Sequence, residues 1–281
     1  MQIFKKKDAL KHCLSLVKQK NKQIGFVPTM GALHEGHISL VDFSNKENDI
    51  TVVSIFVNPT QFDKPEDLKK YPKNLERDLQ LLEKSGCDIV FTPTVEEIYS
   101  DNVSSKSYSF DGIEHQMEGA FRTGHFDGVA TIIQAFFEII TPTKSYFGEK
   151  DFQQLQIVKK LAEKENLPVS VIGCPIFREK DGLAMSSRNT RLNETQRNAA
   201  PLIHQTLKKA VEQSKFKTIE EVTLFVKNEF KNHSILELEY FTIAEEKTLV
   251  TPKKLNPKEK NRVFIAVFAD KVRLIDNLSI N

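Results

Sequence analysis

His34 and His37 stand three residues apart in the segment Pro28-Thr29-Met30-Gly31-Ala32-Leu33-His34-Glu35-Gly36-His37. At the start of a helix, residues at that spacing share a face, so both imidazoles can meet one ligand. Gly31 and Gly36 permit a tight turn and a close backbone approach. A helix beginning near Gly36 offers unpaired N–H groups and a partial positive charge, a setting that favours phosphate. A zinc-protease signature needs histidines at i and i+4; this pair is at i and i+3, which argues against a metal site. A purely structural pair in a glycine-rich turn is the remaining alternative.

Three other segments carry usable chemistry. Asn58 and Gln61 lie in Phe56-Val57-Asn58-Pro59-Thr60-Gln61-Phe62, directly after an apolar run, where Pro59 stops a strand and turns the chain. Both also suit a plain turn. Gly148-Glu149-Lys150-Asp151 passes from a strand-like to a helix-like pattern, and Lys150 supplies a mobile positive charge suited to phosphate. Asp151 equally suits a helix N-cap. Residues 178–189 contain the turn signal Asp181-Gly182 and the cluster Met185-Ser186-Ser187-Arg188, whose hydroxyls and guanidinium can wrap a polyphosphate. Alone, such a loop also suits an ordinary surface.

These segments need elements to position them. Residues 23–28, 50–57, 89–91, 144–147 and 168–173 read as strands, and the near-continuous apolar run at 50–57 suits a central parallel strand. Residues 37–46, 74–85 and 151–166 read as helices, with Gly86 placed as a C-cap glycine. Residues 129–140 read as a helix apolar on most sides and therefore buried. Strands alternating with helices predict a parallel sheet, and ligands of such sheets collect at the carboxyl ends of the strands. After about residue 177 the pattern changes to helices at 194–214 and 219–231, then strands at 237–244, 262–269 and 272–277. The expectation is an α/β fold: a Rossmann-like parallel-sheet domain over 1–176 and a smaller α+β domain over 177–281. Residues 253–262 read as a charged, solvated loop.

Composition fits this picture. Forty Lys+Arg against 38 Asp+Glu leave a net charge of +2, so nothing points to nucleic acid or to an anionic membrane surface. With 40% apolar residues the 281-residue chain can bury a large core. No apolar run reaches the roughly 18 residues of a membrane span. Cys13, Cys87 and Cys174 are odd in number and widely spaced, which fits three reduced thiols in a cytoplasm better than a disulfide framework or a thiolate zinc site.

PTMGALHEGH (28–37), FVNPTQF (56–62), RTGHFDGV (122–129), YFGEKDFQQL (146–155) and DGLAMSSRN (181–189) together resemble the pantothenate synthetase family, of the cytidylyltransferase-like group with HxGH nucleotide sites. A lone HxGH indicates only some nucleotidyltransferase or related synthetase; the ordered set is far more specific. The resemblance implies ATP-dependent condensation of (R)-pantoate with β-alanine through pantoyl adenylate, giving pantothenate, AMP and pyrophosphate. It implies ATP contacts from Met30, Gly31, Ala32, Leu33, His34, Glu35, Gly36 and His37, and from Gly148, Glu149, Lys150 and Asp151. Phe177, Met185, Ser186, Ser187 and Arg188 complete that set, with the 177–281 domain as a lid. His34, His37, Lys150 and Arg188 carry catalysis in this reading, with His37 the leading donor. Gln61 and Gln154 hold pantoate, and Gln61 also reaches β-alanine. Asn58, Asp78 and Arg122 are weaker candidates for substrate or magnesium support. The resemblance further implies magnesium arriving with ATP, no dedicated protein metal site, a homodimer and small-molecule partners only. Two rivals remain: a nucleotidyltransferase of the same fold, which leaves Gln61 and Gln154 without a purpose, and a nucleotide-sensing module without turnover.

Overall fold

The structure, a computed structural model, describes residues 1–63, 65–100 and 102–280. The chain forms two compact units, one of Met1–Glu149 with Gln153–Pro175, the other of Lys150–Phe152 with Ile176–Asn281. The short piece Lys150–Phe152 thus belongs with the C-terminal part.

The first unit is built on strands β1 (Gln2–Phe4), β2 (Ile24–Thr29), β3 (Ile50–Ile55), β4 (Ile89–Phe91), β5 (Lys144–Gly148) and β6 (Ser170–Cys174), all parallel, in the order β1-β4-β3-β2-β5-β6. From β2 the chain steps outward through β3 to β4. It then returns to β5 on the other side of β2 and continues to β6. The order therefore reverses between β2 and β5, and such a switch point opens a crevice beyond the strand ends. Pairing of β5 with β2 reaches only Gly25 and Phe26, whereas pairing of β3 with β2 continues to Thr29. The two strands diverge where the crevice must form. This also explains why β2 runs through Pro28 rather than stopping there: β5 no longer pairs at that level, so the missing N–H removes no ladder bond on that side.

Alternation of β-branched and aromatic residues with helices on both faces makes the core. Val27, Val53, Val90 and Tyr146 pack with Leu33, Val41 and Leu82 in one cluster. Phe26, Phe56 and Phe91 each meet the Phe136 ring edge-on at about 6 Å, fixing helix His125–Ile140 against the sheet. That helix is buried along most of its length, as its apolar pattern predicts. Strand β1 and helix Lys7–Gln19 have no counterpart in the sequence reading. Three polar-flanked residues at an edge carry too little periodicity to reveal a strand.

In the second unit, β7 (Leu236–Glu245), β8 (Asn261–Ala269) and β9 (Val272–Ser279) form an antiparallel sheet in that order. Leu207, Val222 and Val226 from two helices pack on Ile243, Val263, Ile265 and Val267. The helix expected over 194–214 is broken into Glu194–Ala199 and Leu202–Gln213, because Pro201 lacks the N–H that a continuous helix requires. The loop expected over 253–262 ends early. Asn261 and Arg262 are buried residues of β8, and Arg262 is held by Glu246 and Asn277.

Candidate active site

His34 caps helix Glu35–Glu47. Its Nδ1 accepts from the Gly36 amide at 3.1 Å, and the His34 amide donates to His37 Nδ1 at 3.3 Å, a reciprocal capping box built from two imidazoles. The rings lie 4.0 Å apart, tilted by 36°. Because each Nδ1 accepts, a neutral ring here carries its proton on Nε2. In that tautomer Nε2 is the donor end of each ring.

The turn before this cap is strained and held. Gly31 has φ +80° and Ala32 φ +51°, two successive left-handed residues. Asp78, almost fully buried, fixes them: Oδ2 accepts from the Ala32 amide and Oδ1 from the Leu33 amide, each at 2.8 Å. Burial raises the Asp78 pKa against the opposing pull of these two amides. With both oxygens so engaged, Asp78 anchors the turn. Sequence reasoning placed it only as a weak substrate or magnesium candidate. The helix Leu75–Lys84 that carries it lies over forty residues downstream of the loop it holds.

Asn58 and Gln61 sit in the turn after β3. Both are buried, and Asn58 Nδ2 donates to Gln61 Oε1 at 3.2 Å and to the Gly128 carbonyl at 3.0 Å. Gln61 Nε2 lies 2.8 Å from Met30 Sδ, so the turn after β3 touches the turn after β2. The Gln61 carbonyl accepts from His125 Nδ1 at 2.7 Å and from Arg122 Nη2 at 3.4 Å. Arg122 also lies 3.6 Å from Asp63 and 3.9 Å from Glu118. The 122–129 segment thus clamps the Gln61 turn.

Gly148 and Glu149 follow at the end of β5. In the next helix Gln153 and Gln154 have different lives. Gln153 is buried, with its amide bonded to the Glu118 amide and to the carbonyls of Ile113 and Gln116. Gln154 is half-buried.

In the second unit the Lys150 carbonyl accepts from Asn277 Nδ2 at 3.0 Å, and Asn277 Oδ1 accepts from Arg262 Nη1 at 2.6 Å. The Arg262 guanidinium stands 4.1 Å over the Phe152 ring. These contacts tie Lys150–Phe152 to β8 and β9. Lys150 Nζ is 3.7 Å from Asp151. The segment 178–182 that leads into the 185–188 loop is held at several points. Arg178 pairs with Asp276 at 2.7 and 2.9 Å and donates to the Gly182 carbonyl, while Arg197 bridges Glu179 and Asp181. The Met185 amide donates to the carbonyl of Phe177, whose side chain is exposed. Ser186 Oγ accepts from the Arg188 amide at 3.2 Å, capping the short turn Ser187–Arg191. No group of three or more His, Cys, Asp or Glu side chains suited to a metal occurs among the described residues.

A parallel sheet with a switch point between β2 and β5, and a paired-imidazole helix cap at the end of β2, define a nucleotide-handling α/β enzyme of the HxGH class. The profile of the pantoate-beta-alanine ligase family matches residues 2–279. The chain is 53% identical to the pantothenate synthetase of Christiangramia forsetii and 52% identical to that of Flavobacterium psychrophilum, with each chain covered in full. The crystal structure of the Thermus thermophilus pantothenate synthetase superposes with a TM-score of 0.92 at 36% identity, covering 100% of this chain and 99% of that one. The Francisella tularensis pantoate-beta-alanine ligase, solved with beta-gamma ATP and beta-alanine, gives 0.83 at 37% identity, with coverage of 100% and 98%. The chain belongs to the pantoate–β-alanine ligase family. It is a ligase that joins pantoate to β-alanine. No described helix is long and apolar enough to cross a membrane.

Proposed function

We propose that the ligation runs through a pantoyl adenylate, with residues of the two switch-point turns, Lys150 and the 185–188 loop each taking part. A free carboxylate resists amine attack at neutral pH, so it must first gain a leaving group. A pantoate carboxylate oxygen bonds to the α-phosphorus of ATP as the bond to the bridging oxygen breaks and pyrophosphate departs. The β-alanine amine then bonds to the acyl carbon, the carbon–oxygen bond to AMP breaks, and the amine proton passes to solvent or phosphate.

The observation that carries this reading is the imidazole pair at the helix start, with both Nδ1 atoms accepting backbone amides. The Nε2–H groups of His34 and His37 then suit the charge that builds on the phosphates, and His37 is the principal donor. Residues 30–37, Gly148, Glu149, Asp151, Phe177 and Met185 contact ATP. Lys150 and Arg188 neutralise charge on its triphosphate, and Ser186 and Ser187 donate hydroxyl hydrogen bonds to it. Gln61 and Gln154 hydrogen-bond pantoate, and Gln61 reaches β-alanine. The contrast between Gln153, whose amide is occupied inside the fold, and half-buried Gln154 supports that choice. Magnesium enters as part of the MgATP substrate. The enzyme works in the cytoplasm as a homodimer.

The test is incubation with MgATP, pantoate and β-alanine, with pantothenate detected by mass and each component omitted in turn. Pyrophosphate release that needs both ATP and pantoate supports the adenylate. In single-turnover adenylation, His37→Ala and Lys150→Ala each slow the step by at least about a hundredfold, the usual effect of removing a preorganised donor at developing charge. A rate within a fewfold of wild type removes that residue from the mechanism. Light scattering of the purified enzyme reads the dimer.

A further inference from the structure

Two backbone groups decide which way the buried Asn58 amide points. The Gly128 carbonyl can only accept, so the atom facing it at 3.0 Å is Nδ2. The Thr60 amide can only donate, so the atom facing it at 3.4 Å is Oδ1. The second Nδ2 hydrogen then meets Gln61 at 3.2 Å, and the Gln61 atom there must be Oε1. This leaves Gln61 Nε2 as the end that faces away, toward Met30 Sδ. A thioether is a weak acceptor, so this donor is held in place without a strong competing partner.

Asn58 Oδ1 is in turn gripped by the Tyr99 hydroxyl at 2.6 Å, the shortest contact in the cluster, and by Thr60 Oγ1 at 3.1 Å; the two hydroxyls are 3.0 Å apart. The Tyr99 ring lies 6.5 Å from the Phe56 ring, tilted by 33°. Burial raises the phenol pKa, so the hydroxyl keeps its proton and remains a donor at neutral pH.

We infer that Tyr99 is a positioning residue for the substrate acid: its hydroxyl fixes the Asn58 amide, which fixes the Gln61 amide with its N–H end presented to an oxygen of the hydroxy acid. Asn58 acts as the bracket between them, with both ends of its side chain occupied inside the protein. The ligand chemistry that suits this arrangement is a carboxylate or hydroxyl oxygen accepting from Nε2. An ammonium group, which can only donate, does not fit that end. The inference rests on the assignment of pantoate to Gln61 made above.

The test compares Tyr99→Phe, Gln61→Ala and the double variant, with pantoate, ATP and β-alanine each varied, and with thermal unfolding as a check of the fold. Losing one hydrogen bond that orients a binding group raises the pantoate KM of Tyr99→Phe about tenfold. The KM for ATP stays within about twofold, because the imidazole turn is untouched. In the Gln61→Ala background the Tyr99→Phe change has no further effect, since the amide it orients is gone. Thr60→Val, which removes the other hydroxyl on Oδ1, moves the pantoate KM in the same direction by about threefold. A merely structural role for Tyr99 moves all three substrates together and adds to Gln61→Ala; that result overturns the inference, as does an unchanged pantoate KM in both hydroxyl variants. An unchanged pantoate KM in Gln61→Ala overturns the assignment of Gln61 itself, and the inference with it. A large effect in Gln61→Ala with none in Tyr99→Phe overturns the inference alone.

Discussion

Asp78 Oδ1 accepts the Leu33 amide at 2.8 Å and holds the loop that precedes the imidazole pair. Its other oxygen takes the Ala32 amide at the same distance. The carboxylate compensates a strained turn, since Ala32 is a left-handed residue with a Cβ. Asp78→Ala removes the carboxylate acceptor of the Ala32 and Leu33 amides, the second of them buried, and costs about 1–3 kcal/mol of stability. Asp78→Asn keeps one bond but turns an N–H toward the second amide. Both variants raise the KM for ATP more than that for β-alanine. Chemical denaturation and steady-state kinetics read the two effects, and an unmoved ATP KM in a folded Asp78→Asn enzyme refutes the anchoring role.

Gly128 brings helix His125–Ile140 directly onto the Gln61 turn. A Cβ added there lies 2.3 Å from the Thr60 carbonyl oxygen and 2.5 Å from its carbon, so backbone has to move. Gly128→Ala therefore loses about 1–3 kcal/mol through overpacking and displaces Asn58, which donates to the same glycine's carbonyl. Pantoate turnover falls further than ATP binding, as measured by nucleotide affinity alongside kinetics. Full activity and unchanged melting exclude the contact.

Much of this was legible in the residues. The apolar run of β3 and the strand–turn–helix passages around 28–37 and 148–151 predict a parallel sheet, and the switch point supplies the reason those turns matter. The anchors were not legible. Asp78, Tyr99 and Gly128 lie about 40 to 70 residues from the turns they hold, and no local periodicity links them. Arg262 misled for a related reason. Five charged residues in the run 253–260 predict a solvated loop, and the contacts of β8 show that Arg262, where loop and strand readings meet, is buried against Phe152, Asn277 and Glu246. Pro201, by contrast, carries a local signal that overrides the helical pattern around it.

Asn277 links Arg262 to the backbone of Lys150. Its oxygen is taken by the guanidinium, which aims Nδ2 at the Lys150 carbonyl. Asn277→Ala removes one hydrogen bond to that carbonyl and leaves a buried guanidinium short of an acceptor, a loss of about 1–3 kcal/mol. If Lys150 handles the triphosphate, pantoyl-adenylate formation slows while the unfolding of the first unit, read by hydrogen exchange at β2 and β3, stays as in wild type. A variant with normal adenylation separates the Asn277 tether from the chemistry.

Asp111 sits between Lys160 Nζ and Lys164 Nζ, each at 2.6 Å, and this pair holds its carboxyl down to about 2. A depressed carboxylate stabilises the fold above its ordinary value of 3.8 and loses that contribution as pH falls from there toward about 2. Asp111→Asn therefore flattens the acid limb of the stability curve in that window. The group is largely exposed, so the effect is small and shrinks in 1 M salt, where the screening length is about 3 Å. Urea midpoints of both proteins between pH 2 and 5, at low and high salt, test this; an identical acid limb in the two proteins rules the clamp out.

Cys87 and Cys174 are buried, and burial pushes both thiols up to about 12. Nucleophilic reactivity requires the thiolate, so neither reacts with an aromatic disulfide reagent near neutral pH while the protein is folded. Cys13 is only partly covered and lies 3.5 Å from Gln2 Oε1 on helix Lys7–Gln19, outside every turn that handles substrate. Titration of the native enzyme therefore releases one equivalent of chromophore, and denaturant releases the other two. Labelling at Cys13 leaves ligase activity in place. Two or more equivalents from the folded protein, or inactivation that tracks the first, contradicts the burial of Cys87 and Cys174 or the remoteness of Cys13.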